Sequence, residues 1–249
     1  MKPISIIDSH LHIGWANNRY YSPSQVIELI DRNKIKFSLI SSLSGATVSQ
    51  TFGNKETYNF VKNHPKIMRG LIWINPYDPD WQKDANFYIK KFCGIKLHPS
   101  LNRYYIRFDF LKPVFAFAEK NELAIFLHTS KGVWSQSEKY EGLIKKFTKV
   151  PIVLYHSQPL DQAIKITQQY KNVFLETSTL TIDNVIKMIK VVSSHKIIFG
   201  SDAPIGFKKT FQPQEYSQTI KKFMNQLAKQ DCENIFFNNA NKILDFKLK

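Results

Sequence analysis

Eight short apolar runs recur along the chain, each followed by a polar or amphipathic stretch, and this alternation constrains the fold more than any other feature. The runs are residues 4–12, 37–43, 68–75, 93–98, 124–128, 152–156, 173–177 and 197–202. They are nearly continuous in Ile, Leu, Val and Phe, as strands buried on both faces of a parallel sheet must be. Helix signals fill the intervals. Pro23 stands where a first helical turn tolerates proline, ahead of Val26, Ile27, Leu29 and Ile30. Residues 109–122 place Phe110, Leu111, Val114, Phe117 and Ala118 at three- and four-residue spacing, an amphipathic face. Residues 161–170, 181–192 and 214–228 read the same way. In 249 residues without a linker or a low-complexity tract, the pattern predicts one α/β domain over residues 1–249, a (β/α)8 TIM barrel. A doubly wound open sheet alternates similarly, but its Gly-rich turn after the first strand is missing. His10-Leu11-His12 occupies that place.

Groups able to bind a metal ion sit at the ends of these runs. The first ends Asp8-Ser9-His10-Leu11-His12, the fourth Lys96-Leu97-His98, the fifth at His128, the sixth at His156 and the eighth at Asp202. In a barrel these ends converge on one mouth, where barrel enzymes keep their active sites. Side chains alternate along a strand, so His10 and His12 share a face and are placed to grip one ion. Taken singly, each signal has a bland reading. His-x-His recurs by chance, a histidine ending a strand is often a hydrogen-bonded core residue, and Asp202 before Ala203-Pro204 suits a turn cap. Together, His10, His12, His128, His156 and Asp202 lie at the same end of four strands and point to a divalent ion. Zinc suits imidazole and carboxylate donors, as do manganese, iron and cobalt. His64 and His195 read as surface loop residues.

The ordered set of motifs resembles the amidohydrolase superfamily of metal-dependent hydrolases, most closely its amidohydrolase-related branch. The resemblance runs from Asp8-Ser9-His10-Leu11-His12-Ile13-Gly14 to the tail at Asn234–Lys242, through Gly94-Ile95-Lys96-Leu97-His98-Pro99, His128-Thr129-Ser130, Tyr155-His156-Ser157 and Phe199-Gly200-Ser201-Asp202-Ala203-Pro204. It is specific for the superfamily and not for the substrate. It implies one or two divalent ions, Zn2+ first and Mn2+ or Fe2+ otherwise. His10, His12 and His128 would be ligands, with Asp202 both ligand and general base. His156 would polarise the substrate in a one-metal site or bind the second ion in a two-metal site. Lys96 matches the lysine that bridges two ions when carboxylated, or it stays unmodified and orients substrate. His98, nearer the mouth on the same face, is a candidate substrate contact. Glu176 faces either the site or the helices. Cys93 reads as a small core residue.

Loops after the first, fourth and fifth runs add aromatic and basic groups: Trp15, Asn17, Arg19, Tyr20 and Tyr21, then Asn102, Arg103, Tyr104, Tyr105 and Arg107, then Lys131 and Trp134. A guanidinium fork matches carboxylate or phosphate, which makes Trp15 and Arg103 candidate contacts for a small anionic substrate. Packing anchors and ordinary exposed residues account for the same groups. The implied chemistry is hydrolysis of an amide, lactone or ester, in which Asp202 manages the proton of an activated water and His156 helps stabilise the oxyanion. The same branch includes decarboxylases and hydratases. A TatD-type metal-dependent deoxyribonuclease is a rival, but it needs a glutamate where Lys96 and His98 stand. A non-catalytic binding barrel is the remaining one.

The formal charge of +15 draws attention to nucleic acid, yet Lys and Arg are spread through nearly every segment with no block or tail. The charge reads as a surface bias that favours anionic small molecules. No apolar run approaches the roughly 18–20 residues of a membrane-spanning helix, and the N-terminal apolar stretch is too short for an export signal. The two cysteines, Cys93 and Cys232, suit a reducing cytoplasm. A homodimer is the default expectation for assembly.

Overall fold

The computed structural model describes residues 4–205 and 213–244. The strands are β1 (Ile7–Ala16), β2 (Arg19–Tyr21), β3 (Phe37–Ser42), β4 (Met68–Trp73), β5 (Phe92–Leu97), β6 (Ala124–His128), β7 (Ile152–Tyr155), β8 (Val173–Glu176) and β9 (Ile197–Ile198). Neighbours pair in the order β2-β1-β3-β4-β5-β6-β7-β8-β9, all parallel except β1 with β2. The ring closes between its ends. The Ser9 amide donates to the Phe199 carbonyl (3.1 Å), the His12 amide donates to the Ala203 carbonyl (2.8 Å), and Leu11 bridges Ala203 in parallel. This is the expected eight-stranded barrel, with β2 added outside the ring.

Two layers of apolar side chains hold it. Inside the ring, Phe37, Leu39, Leu71, Cys93, Phe126, Val153 and Ile198 pack together, and Ala240, Ile243 and Leu244 join them from the terminal helix Asn239–Leu244. Cys93 is thus core filler. Between ring and helices lies a larger cluster that includes Leu11, Ile72, Ile95, Leu127, Leu154 and Leu175 from the strands, with Val114, Ile164 and Val185 from the helices. The helices Phe108–Lys120, Leu160–Gln169 and Ile182–Val192 turn their apolar stripes onto it.

Two elements differ from the sequence expectation. The first loop is a β-hairpin: β1 continues to Ala16, and Asn17 and Asn18, both left-handed (φ 51° and 59°), turn the chain into β2. Asparagine tolerates that conformation, and two such residues match the twist of a two-residue hairpin turn. The eighth barrel strand ends at Ile198, short of residue 202, because the chain leaves the ladder to bring Gly200 and Asp202 to the mouth. Residues 1–3 of the N-terminal stretch lie outside the described residues.

A candidate metal centre at the mouth of the barrel

Strand phase decides which polar groups enter the ring. In β1 a one-residue register shift lies between Asp8 and Leu11, and His10 and His12 both face inward across it. Their Nε2 atoms are 3.0 Å apart. Asp202 Oδ1 lies 3.3 Å from the first and 3.2 Å from the second. Asp202 reaches this point from a left-handed backbone (φ 59°), and His156 is left-handed as well (φ 67°). Non-glycine residues are strained in this region, and such strain concentrates at functional sites.

These three atoms form a cation trap. His12 Nδ1 lies 3.0 Å from the Ser41 carbonyl, which can only accept, so His12 donates from Nδ1. A neutral His12 therefore turns a lone pair toward His10 Nε2 and the Asp202 carboxylate. Three potential ligand atoms thus converge on one point that a divalent ion can bridge. Two imidazoles and a carboxylate suit zinc, manganese or iron. A second group of possible ligands, His10, His156 and Glu176, adjoins the first.

A cavity of about 170 Å³ opens above the trap. It is lined by His10, His12, His98, His128, His156 and Asp202, with Asn17 and the apolar Ala16, Leu43, Leu101 and Ile205. His128 shares the cavity but stands outside both ligand groups. Its ring stacks on His98 (centroids 3.6 Å apart), and its buried Nδ1 has no hydrogen-bond partner among the described residues. His98 is fixed from behind by Trp73, which stacks on it (5.8 Å) while donating from Nε1 to Asn102 (2.9 Å).

Lys96 is fully buried, with Nζ 3.3 Å from His10 Nε2 and 3.9 Å above the Tyr155 ring. Burial lowers its pKa to about 7 despite the carboxylates of Asp202 and Glu176. Burial and neighbouring cationic groups likewise push His10, His98 and His128 well below the usual histidine range, and burial takes His156 down to about 4. Neutral imidazoles are the form that binds metal. Burial alone would raise the pKa of Asp202, but its close neighbours His12, His156 and Lys96 outweigh it and hold the carboxyl below its usual range.

Glu176 faces the site. Its Oε2 accepts the His156 amide (2.8 Å) and the Ser178 hydroxyl (2.7 Å), and its Oε1 accepts the Ser178 amide (2.6 Å). Sequence reasoning missed two of the supporting residues, Ser178 and Asp8. Asp8 is buried and accepts from the His10 amide (3.0 Å), the Ser201 hydroxyl (2.7 Å) and the Tyr216 hydroxyl (2.8 Å). The outer candidates lie elsewhere. Trp15 is 46% exposed and packs on Tyr20, and Arg103 is exposed at a left-handed turn (φ 55°), so neither lines the cavity. Tyr104 is buried, whereas Tyr105 is exposed and stacks on Trp134 (4.1 Å).

The family described as Amidohydrolase matches residues 40–246. No curated protein matches the chain. Among solved structures, it is similar to a dihydroxybenzoic acid decarboxylase from Polaromonas sp. JS666 with bound manganese and an inhibitor (14% identity, TM-score 0.76, 98% of this chain and 98% of that one). It is similar to 4-oxalomesaconate hydratase from Rhodopseudomonas palustris (14%, 0.72, 96% and 95%). A probable 2-pyrone-4,6-dicarboxylic acid hydrolase from Acinetobacter baumannii is a third (14%, 0.73, 98% and 100%). At these identities the likeness shows the shared fold.

Proposed function

The chain belongs to this amidohydrolase family of enzymes, and from that premise we propose that it is a metal-dependent hydrolase of a small, anionic, carbonyl-containing substrate. The observation that carries the reading is the convergence of His10 Nε2, His12 Nε2 and Asp202 Oδ1 within 3.0–3.3 Å of one another at the floor of a cavity. In this reading His10, His12 and Asp202 hold the ion, with His156 and His128 beside them. Zn2+ is the first choice and Mn2+ the second. A bound divalent ion supplies Lewis acidity and makes a water molecule acidic enough to react near neutral pH.

The chain's own residues do the rest. Asp202, ionised and at the cavity floor, receives the proton of the attacking water and returns it to the leaving group. An imidazole that turns its N–H into the cavity holds the carbonyl, and the buried rings together keep bulk water out. The cavity is smaller than the roughly 300–1,000 Å³ that drug-sized ligands occupy, so a single ring or a short chain fits. Outside it, Arg103, Arg107 and Lys131 are exposed and form no ion pair among the described residues. With a net charge of +15 they favour arrival of an anion.

Decarboxylation of a flat unsaturated acid is the second reading. It is favoured by the apolar Leu43, Leu101 and Ile205 that share the lining with the imidazoles. Both readings are tested by metal analysis of the purified protein and a screen of lactones, amides and aromatic carboxylates, read as acid release and as CO2 release. The hydrolase reading expects acid release without CO2, reduced about 10²–10⁴-fold in Asp202→Asn, the usual contribution of a general base. CO2 release alone selects decarboxylation. Salt-sensitive cleavage of DNA that is lost in His10→Ala would overturn both.

A further inference from the structure

The groups behind the cavity imidazoles determine which ring nitrogen of each carries its proton. As a carboxylate, Glu176 accepts a main-chain amide on each oxygen, from Ser178 (2.6 Å) and from His156 (2.8 Å), and has no proton of its own to donate. The Ser178 hydroxyl adds its own proton to Oε2 at 2.7 Å. Its oxygen then has only lone pairs left, and one faces His156 Nδ1 at 2.8 Å. His156 must therefore donate from Nδ1. The same two acceptors stand 3.5 and 3.6 Å from His10 Nδ1, on the side away from the cation trap.

His98 is arranged the opposite way. Its Nδ1 lies 3.3 Å from the Leu101 amide, a group that can only donate, so this nitrogen accepts and the proton sits on Nε2. We propose that these supports divide the cavity histidines by role: Ser178 and Glu176 hold His156 as a proton acceptor or ligand, and the Leu101 amide holds His98 as the hydrogen-bond donor to substrate. The inference rests on the proposed reading of the cavity as a catalytic metal site. Within that reading it transfers stabilisation of the oxyanion from His156, where the family resemblance placed it, to His98. Ser178 and Glu176 are positioning residues, because they touch the imidazoles and line no part of the cavity.

Substitution of Glu176 is a poor test, since an amide would set a donor against one of the two main-chain amides and endanger folding. Ser178 is the better site. It also borders a second cavity of about 230 Å³, together with Gly200, Ser201, Tyr216 and Thr219, so a smaller side chain there crowds nothing.

The experiment is histidine-labelled nitrogen NMR on the metal-free full chain near pH 9, above the value of about 8 to which burial raises Glu176, and it assigns each tautomer independently of activity. The expected result is His156 protonated on Nδ1 and His98 on Nε2. Ser178→Ala shifts His156 toward the Nε2-protonated form and leaves His98 unchanged, whereas Ser178→Thr keeps the wild-type tautomer. Thr219→Val, in the same second cavity but away from the imidazoles, changes neither. In the metal-loaded enzyme Ser178→Ala lowers kcat at least about tenfold with little change in KM, and Ser178→Thr restores it. Wild-type His156 protonated on Nε2, or a tautomer that ignores Ser178→Ala, overturns the proposal. Expected tautomers in a protein with no activity on any substrate class instead count against the catalytic reading alone.

Discussion

Gly200 shows how closely the groups around the centre are packed. A Cβ at this position would run into the Glu176 carboxyl and come within 2.8 Å of His10 Cβ, neither of which has room to move. Gly200→Ala therefore costs about 1–3 kcal/mol, the usual range for overpacking, and should reduce metal content as well, because it displaces the proposed ligand His10 and the Glu176 carboxyl that holds the His156 amide. Denaturant unfolding and metal analysis check the two effects, and a variant with wild-type metal content contradicts this account. The residues that the fold brings together at the cavity are legible in the sequence because several metal-binding side chains recur at the same end of buried strands. His10, His12, Lys96, His98, His128, His156 and Asp202 all reach one site for that reason. Glu176 was ambiguous because Val173–Glu176 is buried along most of its length, and a strand without alternation does not reveal its phase. Trp15 and Arg103 do not line the cavity because they lie past the strand ends, where a hairpin and a left-handed turn redirect the chain.

At the scale of elements, the barrel's shortest strand is β9, Ile197–Ile198, and the seam it forms is correspondingly short. Asp8 reinforces it. From β1 its carboxyl accepts from the amide (3.2 Å) and hydroxyl (2.7 Å) of Ser201 and from the hydroxyl of Tyr216 (2.8 Å) on the helix Pro213–Gln226. Burial raises its pKa to about 6, with these hydrogen bonds pulling the other way. Asp8→Asn turns an amide donor toward a set of donors and should cost about 1–3 kcal/mol, while Tyr216→Phe costs about 1 kcal/mol. Because the two residues touch, the double variant should be less unstable than the sum, which urea unfolding of the four proteins measures. Strict additivity would mean that the contact contributes nothing to closure. The strands themselves were readable from apolar runs, since a parallel sheet buries both faces. The hairpin was not, because Asn17-Asn18 resembles any polar loop until both residues are seen to be left-handed.

For the whole molecule, the buried charges predict a stability that falls in mild acid. His10, His98, His128 and His156 are buried neutral, with pKa values pushed down, the last to about 4. Such groups stabilise the fold fully above the unfolded histidine value near 6.5, and that contribution is lost as pH falls toward the folded values. Asp8 and Glu176 act oppositely. Their pKa values rise to about 6 and about 8, so their contribution is present in acid and lost as pH rises through those values. Lys96, lowered to about 7, is protonated in both states below that point and drops out of the acid window. In mild acid the four imidazoles take up protons on unfolding while the two carboxyls release theirs, so uptake by the larger group sets the direction. Stability is then lost as pH falls. Urea unfolding of chelator-treated protein between pH 7 and pH 5 should show this decline. A bound divalent ion should steepen it, since protons compete with the ion for the same nitrogens. Stability that is flat or rising toward pH 5 would mean that the histidines are already charged in the folded state, and a cluster of charged imidazoles is no site for a metal ion.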